Sequence, residues 1–369
     1  MTQYQSPLLE LPGATEFQAP PEATVHPDAF GVAWHYGDPL GEQRLIENHP
    51  VWIDRSHRRV FRISGPDSAT FLNNLLSQKL DDAPVGFYSP ALDLDMQGHI
   101  QHHLDVLRAA DDSTDHTPCF LIHTTAAQAD TLYDFLHKMI FWSKVSIEMI
   151  DAGVITLIGE DVQKLLDVPS PGILGAASYS WTAHPRMDLF VARHDLRHLA
   201  QNLEAQGITR AGLMAFSAER VRALEPELSV DLDHRSIPHE VPHWIGRGIH
   251  PGAVHLNKGC YRGQETVARV ENLGRSPRVA VLLQLDGSAP REPLPGMTVQ
   301  RGNRTVGRVG TIVHDCDFGP IAFALIKRSA LGTSDLHIGD TAVAVDPTSL
   351  PQDEGPRAGR AAVDRLRGL

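Results

Sequence analysis

Lys258-Gly259-Cys260-Tyr261-Arg262-Gly263-Gln264-Glu265 runs directly into Thr266-Val267-Ala268-Arg269-Val270, a segment of helix-forming character. The stretch sets one cysteine between two glycines, immediately ahead of a helix start. Backbone N–H groups and the positive end of a helix dipole favour a thiolate there, and Lys258 and Arg262 add positive charge. Gly259 and Gly263 let the backbone turn and approach a ligand closely. Gln264 and Glu265 fall in the first helical turn, where capping accounts for them. Arg269 lies one turn beyond Glu265, at the spacing of an i, i+4 ion pair. Tyr261 is placed either to wall a channel or to plug a core. On these residues alone, redox, metal and covalent roles for Cys260 stay open.

Outward from this motif the pattern divides in two. After Arg278, apolar residues alternate at Val279, Val281, Leu283 and Leu285, and strand-like runs recur at 304–308, 310–314, 321–326 and Thr341–Val345. Short strands with glycine turns and little helix predict a small β-barrel over 276–347. Residues 51–275 instead mix strands with helices. The run Val60-Phe61-Arg62-Ile63-Ser64 leads through Gly65-Pro66-Asp67 into an amphipathic helix carrying Phe71, Leu72, Leu75 and Leu76. Residues 88–95 and 99–107 predict a hairpin that turns at Asp95-Met96-Gln97-Gly98. Strands are expected at 119–123, 145–149, 153–159 and 188–192. Helices are expected over 125–139, from Asp161, over 195–205 and over 213–224, an α+β arrangement. Residues 1–50, rich in proline, read as an irregular N-terminal arm, and 348–369 as a mobile tail.

Composition narrows the function classes. The chain has 369 residues, enough for two or three cores, and 42% of them are hydrophobic. With 33 basic against 45 acidic residues the net charge is -12, which argues against direct binding of nucleic acid or an anionic membrane. No apolar run approaches the roughly 20 residues of a membrane-spanning helix, and the N-terminus lacks a basic segment followed by an apolar one, so a cytoplasmic protein is expected. The three cysteines, Cys119, Cys260 and Cys316, form no C-x-x-C, which suits a reducing compartment. Cys119 and Cys316 sit in strand-like runs and read as buried or inert thiols.

Among the 20 histidines, His239-Glu240-Val241-Pro242-His243 matches the H-E-x-x-H zinc motif. Pro238 and Pro242 break the helix that would bring its imidazoles together, so a proline-rich connecting loop is the better reading. His194 and His198 have i, i+4 spacing without an obvious third ligand, and His102 and His103 point to opposite faces of a strand. No metal site is predicted.

The cysteine octet, extended through Arg269, resembles the signature of the YgfZ family. These are folate-binding factors of iron–sulfur cluster assembly or repair, related to the glycine-cleavage T-protein (GcvT-like superfamily) and to a mitochondrial iron–sulfur assembly factor. Val60 to Leu76, the hairpin from Asp95 to Leu107, and Arg220 followed by Pro226 and Pro238 extend the resemblance over most of residues 34–347. It implies a GcvT-like three-lobed α+β fold, with two interwoven α+β lobes over 51–275 around a central folate channel and a C-terminal barrel. It implies tetrahydrofolate or a folate derivative as cofactor, and iron–sulfur client proteins or assembly factors as partners, tRNA-modifying iron–sulfur enzymes among the indirect beneficiaries. Cys260 becomes the functional thiol, with Lys258, Gly259, Tyr261, Arg262, Gly263, Gln264, Glu265 and Arg269 as its motif. Trp52, Tyr88, His102, His103 and Arg220 become candidate folate contacts. The T-protein's Gly-x-Ile-x-Asp segment reads Gly98-His99-Ile100-Gln101-His102 here, and the acidic residue of its Arg-x-Glu position is Arg222. Losing both carboxylates weakens recognition of a cationic aminomethyl substrate. The expected role is therefore an accessory one, the alternative being folate-dependent C1 transfer as aminomethyltransferase or demethylase.

Overall fold

The computed structural model describes residues 4–111, 116–162, 172–179, 184–247 and 250–351. Alternation with a period of two builds its first sheet, a five-stranded antiparallel array in the order Tyr88–Leu94, Ile100–Ala109, Cys119–Thr124, Arg59–Ser64, Ser146–Ile150. Phe61, Ile63, Leu104, Val106, Phe120 and Ile122 lie on one face. There they meet Phe71, Leu72 and Leu76 around helix Ser68–Leu75 and Leu132 and Leu136 of helix Ala126–Lys138. Their neighbours Val60, Leu107 and Leu121 face the other way, against Val154, Ala177 and Phe190 of a second sheet.

That second sheet has the order Ile173–Tyr179, Arg186–Ala192, Ala152–Ile158, Val51–Arg55, Thr209–Ala211. Its last pair is parallel, joining Thr209–Ala211 to Val51–Arg55. Helix Leu196–Ala205 covers its outer face, where Leu199 and Leu203 pack on Trp52, Ile155, Leu157 and Met187.

The C-terminal region closes as a six-stranded barrel in the order Arg278–Leu285, Gly319–Lys327, Arg304–Asp315, Thr298–Arg301, Leu336–Ile338, Thr341–Val345. Val279, Val281, Leu283, Ala322, Ala324 and Ile326 fill its interior. The intervening Ala280, Leu282, Phe323 and Leu325 turn outward and join a core with Leu92, Leu94, Val221, Trp244 and Tyr261. Two strands thus each serve two cores, and the barrel is fastened to the body by the same alternation that fills it.

The mixed α+β architecture and the barrel agree with expectation, and several details differ. The two short strands expected at 304–308 and 310–314 are one twelve-residue strand, Arg304–Asp315, with a register irregularity between Val309 and Ile312. Strands Val51–Arg55, Ile173–Tyr179, Thr298–Arg301 and Leu336–Ile338 were not anticipated. The first fifty residues are not an irregular arm. They include the short strands Thr15–Glu16 and Ala33–His35 and helix Pro39–Leu45, and they bury Leu8, Ala29 and Val32. The H-E-x-x-H segment forms two short 3-10 turns, Pro238–Glu240 and Pro242–Trp244, as its prolines require. The helix expected from Asp161 lies beyond Val162 outside the described residues, as does the tail from residue 352. No helix among the described residues is long and apolar enough to cross a membrane.

Candidate functional site

The cysteine motif forms a loop clamped at both ends. Helix Gln264–Leu273 begins where expected, and Gly263 caps it in the left-handed region at φ 80°. A Cβ on Gly263 would lie 2.6 Å from the Asp95 carbonyl oxygen and 3.0 Å from the Cα of Gly98, at the tip of the hairpin. Only glycine meets both the backbone angle and the close approach. Gly98 in turn, at φ 82°, sits against Thr266 of the helix. Tyr261 is buried among Leu94, Ile100 and Trp244, the core-plug alternative.

The two cations of the motif do other work than expected. The Lys258 ammonium donates to the carbonyl oxygens of Asn73, Leu76 (2.5 Å) and Gln78 (2.9 Å) at the C-terminal end of helix Ser68–Leu75. It also lies 5.0 Å from the Tyr261 ring, and burial pulls its pKa down to about 8. Arg262 donates to the Leu94 carbonyl and to Asp93 Oδ1 (2.6 Å), with its guanidinium 4.7 Å from the Phe135 ring. Both cations are therefore committed to anchoring the loop. Between them Gly259 and Cys260 are exposed, and Cys260 is a free thiol. Glu265 and Arg269 are exposed and form no ion pair with each other among the described residues.

Asp93 is 1% exposed and serves a second partner. Its Oδ2 accepts from His102 Nδ1 (2.8 Å), while His102 Nε2 lies 3.0 Å from Thr131 Oγ1. A carboxylate only accepts, so the hydrogen on Nδ1 follows from the partner. His103, one residue on, faces the other way, as strand geometry demands. Its ring lies 4.9 Å from that of Trp244. Burial, together with nearby Arg58, pushes its pKa down to about 4 against the pull of Asp105.

Around His103 the structure holds a buried polar centre. Tyr88 donates its hydroxyl hydrogen to Asp188 Oδ2 (2.8 Å) and accepts from His123 Nε2 (2.9 Å). His123 Nδ1 accepts from Arg58 at 3.2 and 3.1 Å, so this imidazole is neutral, in accord with burial lowering its pKa to about 4. Asp188 pairs with Arg55 (3.3 Å) and Arg186 (2.9 Å), and Arg186 continues to Glu225 (2.8 Å). Burial opposes the charge on Asp188, but the two guanidiniums outweigh it and hold the pKa well below the usual carboxylate range. Three buried atoms here have no hydrogen-bond partner among the described residues: His103 Nε2, Asp105 Oδ1 and Trp244 Nε1. Such atoms are costly unless something satisfies them.

The remaining candidates lie apart from this centre or serve packing. Trp52 is fully buried in the core beneath helix Leu196–Ala205. Arg220 binds Asp231 (2.6 Å) and Thr311 Oγ1 (2.5 Å), tying its helix to the barrel. Arg222 lies near Glu219 (3.6 Å) and Asp315 (3.7 Å). Sequence reasoning missed Asp93, Arg58, Asp105, His123, Asp188 and Trp244. Charged residues inside otherwise apolar strands, as in Ala91-Leu92-Asp93-Leu94 and Met187-Asp188-Leu189, were the available signal.

No family model matches the chain. The iron–sulfur cluster assembly factor IBA57 homolog of Chaetomium globosum is 25% identical over 65% of this chain and 58% of its own. The tRNA-modifying protein YgfZ of Edwardsiella ictaluri is 28% identical over 63% of this chain and 69% of its own. The chain spans about three fifths of the length of the first curated relatives it matches, 62% and 58%. In structure it is similar to the glycine cleavage system aminomethyltransferase T of Bartonella henselae, with a TM-score of 0.74 at 17% identity over 94% of this chain and 96% of that one. The chain thus has the fold of the glycine-cleavage aminomethyltransferase, and relatives of 25–28% identity carry the names of an iron–sulfur cluster assembly factor and a tRNA-modifying protein.

Proposed function

We propose that this protein is a folate-binding accessory factor that supports assembly or repair of iron–sulfur centres in client proteins, with Cys260 as its working thiol. The observation that carries this reading is the Cys260 loop. Two buried-end anchors and a glycine with no room for a side chain hold a free, exposed thiol in one place. A packing cysteine would be buried, as Cys119 is. Iron–sulfur clusters usually take four protein ligands, so Cys260 supplies one and the rest come from another chain. Relatives named as an iron–sulfur assembly factor and as a tRNA-modifying protein support the same reading.

The polar groups of the buried centre suit a folate. Its unpartnered His103 Nε2, Asp105 Oδ1 and Trp244 Nε1 offer hydrogen bonds to a pterin ring, and the Trp244 and His103 rings offer a stacking wall. Bound folate would supply a one-carbon carrier. Against T-protein-like C1 transfer, His102 is committed to Asp93 and Thr131, and Arg222 lies between the carboxylates of Glu219 and Asp315.

The test is complementation. Cys260→Ser should lower iron–sulfur enzyme activity in cells lacking the wild-type protein, while its purified form keeps its unfolding midpoint and its tetrahydrofolate binding, followed by Trp fluorescence. Full activity with the serine variant would overturn the assignment of the thiol. Absence of binding by the wild-type chain would overturn the folate half.

A further inference from the structure

We propose that Asp93 is a positioning residue for the Cys260 thiol, acting through Arg262 and steadied on its other oxygen by His102. The inference rests on Cys260 being the working thiol. Asp93 comes from strand Tyr88–Leu94, far in sequence from the loop, and its two carboxylate oxygens are divided between two partners. Oδ1 takes Arg262 at 2.6 Å and Oδ2 takes His102 at 2.8 Å. Both partners also lie against one ring, Phe135, with the Arg262 guanidinium 4.7 Å and the His102 ring 6.2 Å from its centre.

This arrangement differs from a surface ion pair. Asp93 is 1% exposed, whereas the Arg262 side chain is 36% exposed, so the fixed point is the carboxylate and the arginine is held to it. A planar guanidinium with one edge on Asp93 and Nε on the Leu94 carbonyl has its direction set as well as its distance. Arg262 stands two residues after Cys260 and immediately before Gly263, whose backbone is already confined by Asp95 and Gly98. On the other side Lys258, two residues before Cys260, is held by three carbonyls. The thiol's remaining freedom runs through Arg262, and Asp93 is the charged partner that, with the Leu94 carbonyl, sets where Arg262 lies.

The test measures alkylation of Cys260 by iodoacetamide in the full-length protein at pH 7, with each cysteine followed by mass spectrometry. Asp93→Asn, Arg262→Gln and the double variant form a cycle. Each single change should slow Cys260 by about two- to fivefold, the scale of losing one partly exposed ion pair. The double variant should be no slower than the slower single, and Cys316 should react at its wild-type rate in all three. Arg262→Lys keeps the charge without the planar grip and should fall between wild type and Arg262→Gln; it also serves if Asp93→Asn does not fold. Unchanged rates, or slowing that multiplies in the double variant, would overturn the positioning role. That result is separable from the proposed function: a failed cycle with Cys260→Ser still inactive in cells removes only the positioning, and an intact cycle with a dispensable Cys260 removes only the function.

Discussion

The Cys260 loop and the polar centre around Asp188 use the same chemical groups to opposite ends. In the loop, cations from Lys258 and Arg262 reach inward to fixed carbonyls and a buried carboxylate, and Gly259 and Cys260 between them are left in solvent. In the centre, Arg55, Arg186, Asp188 and His123 are all buried, and each depends on its neighbours for compensation. Charge at the edge of the fold holds a shape; charge in the middle has to be balanced for the fold to persist. Phe216 shows how tightly that balance is drawn, with the Arg55 and Arg186 guanidiniums 4.0 and 4.8 Å from its ring.

The contrast can be broken most directly at Asp188. Asp188→Ala leaves Arg55 and Arg186 facing each other without a shared carboxylate, and should cost about 3–5 kcal/mol in denaturant unfolding. A loss below about 1 kcal/mol would show that the centre is not a mutually dependent network. Gly263→Ala probes the edge. Forcing a Cβ into the left-handed region against the Asp95 carbonyl should cost about 1–3 kcal/mol and alter Cys260 alkylation, whereas a change confined to stability would detach the glycine from the thiol.

A finer comparison comes from acid. His103 and His123 are held neutral with pKa values of about 4, while an unfolded histidine takes up a proton near 6.5. Between pH 6.5 and 4 the unfolded chain therefore binds more protons than the folded one, and stability falls as pH falls. Each histidine contributes at most about 1.4 kcal/mol per pH unit in that window. His103→Gln should flatten the measured slope there; an unchanged slope would place His103 outside the buried set.

What could be read from the sequence was local. The helix after Gly263, the hairpin turn at Asp95–Gly98 and the alternation from Val279 to Leu285 each depend on neighbours within a few residues. Strand Val51–Arg55 was not legible, because all five of its residues are buried, Asp54 and Arg55 among them, and no alternation betrays it. The pairing of Asp93 with Arg262 was also out of reach. It joins residues from two strand-and-loop segments that meet only when the barrel-side core forms around Leu94 and Tyr261. The roles of Lys258 and Arg262 were misjudged for the same reason: spacing placed their charges near a thiol, and tertiary structure directed them away from it.

Strand Val51–Arg55 also sets the timetable of biosynthesis. It sits between Ala152–Ile158 on one side and Thr209–Ala211 on the other, so neither of its edges finds a partner until the ribosome has made chain far beyond it. During that interval the nascent chain carries a strand with two open edges, the kind of edge that invites association with other chains. Strand Val51–Arg55 is therefore made early and has both edges covered only once residues 152–211 have emerged.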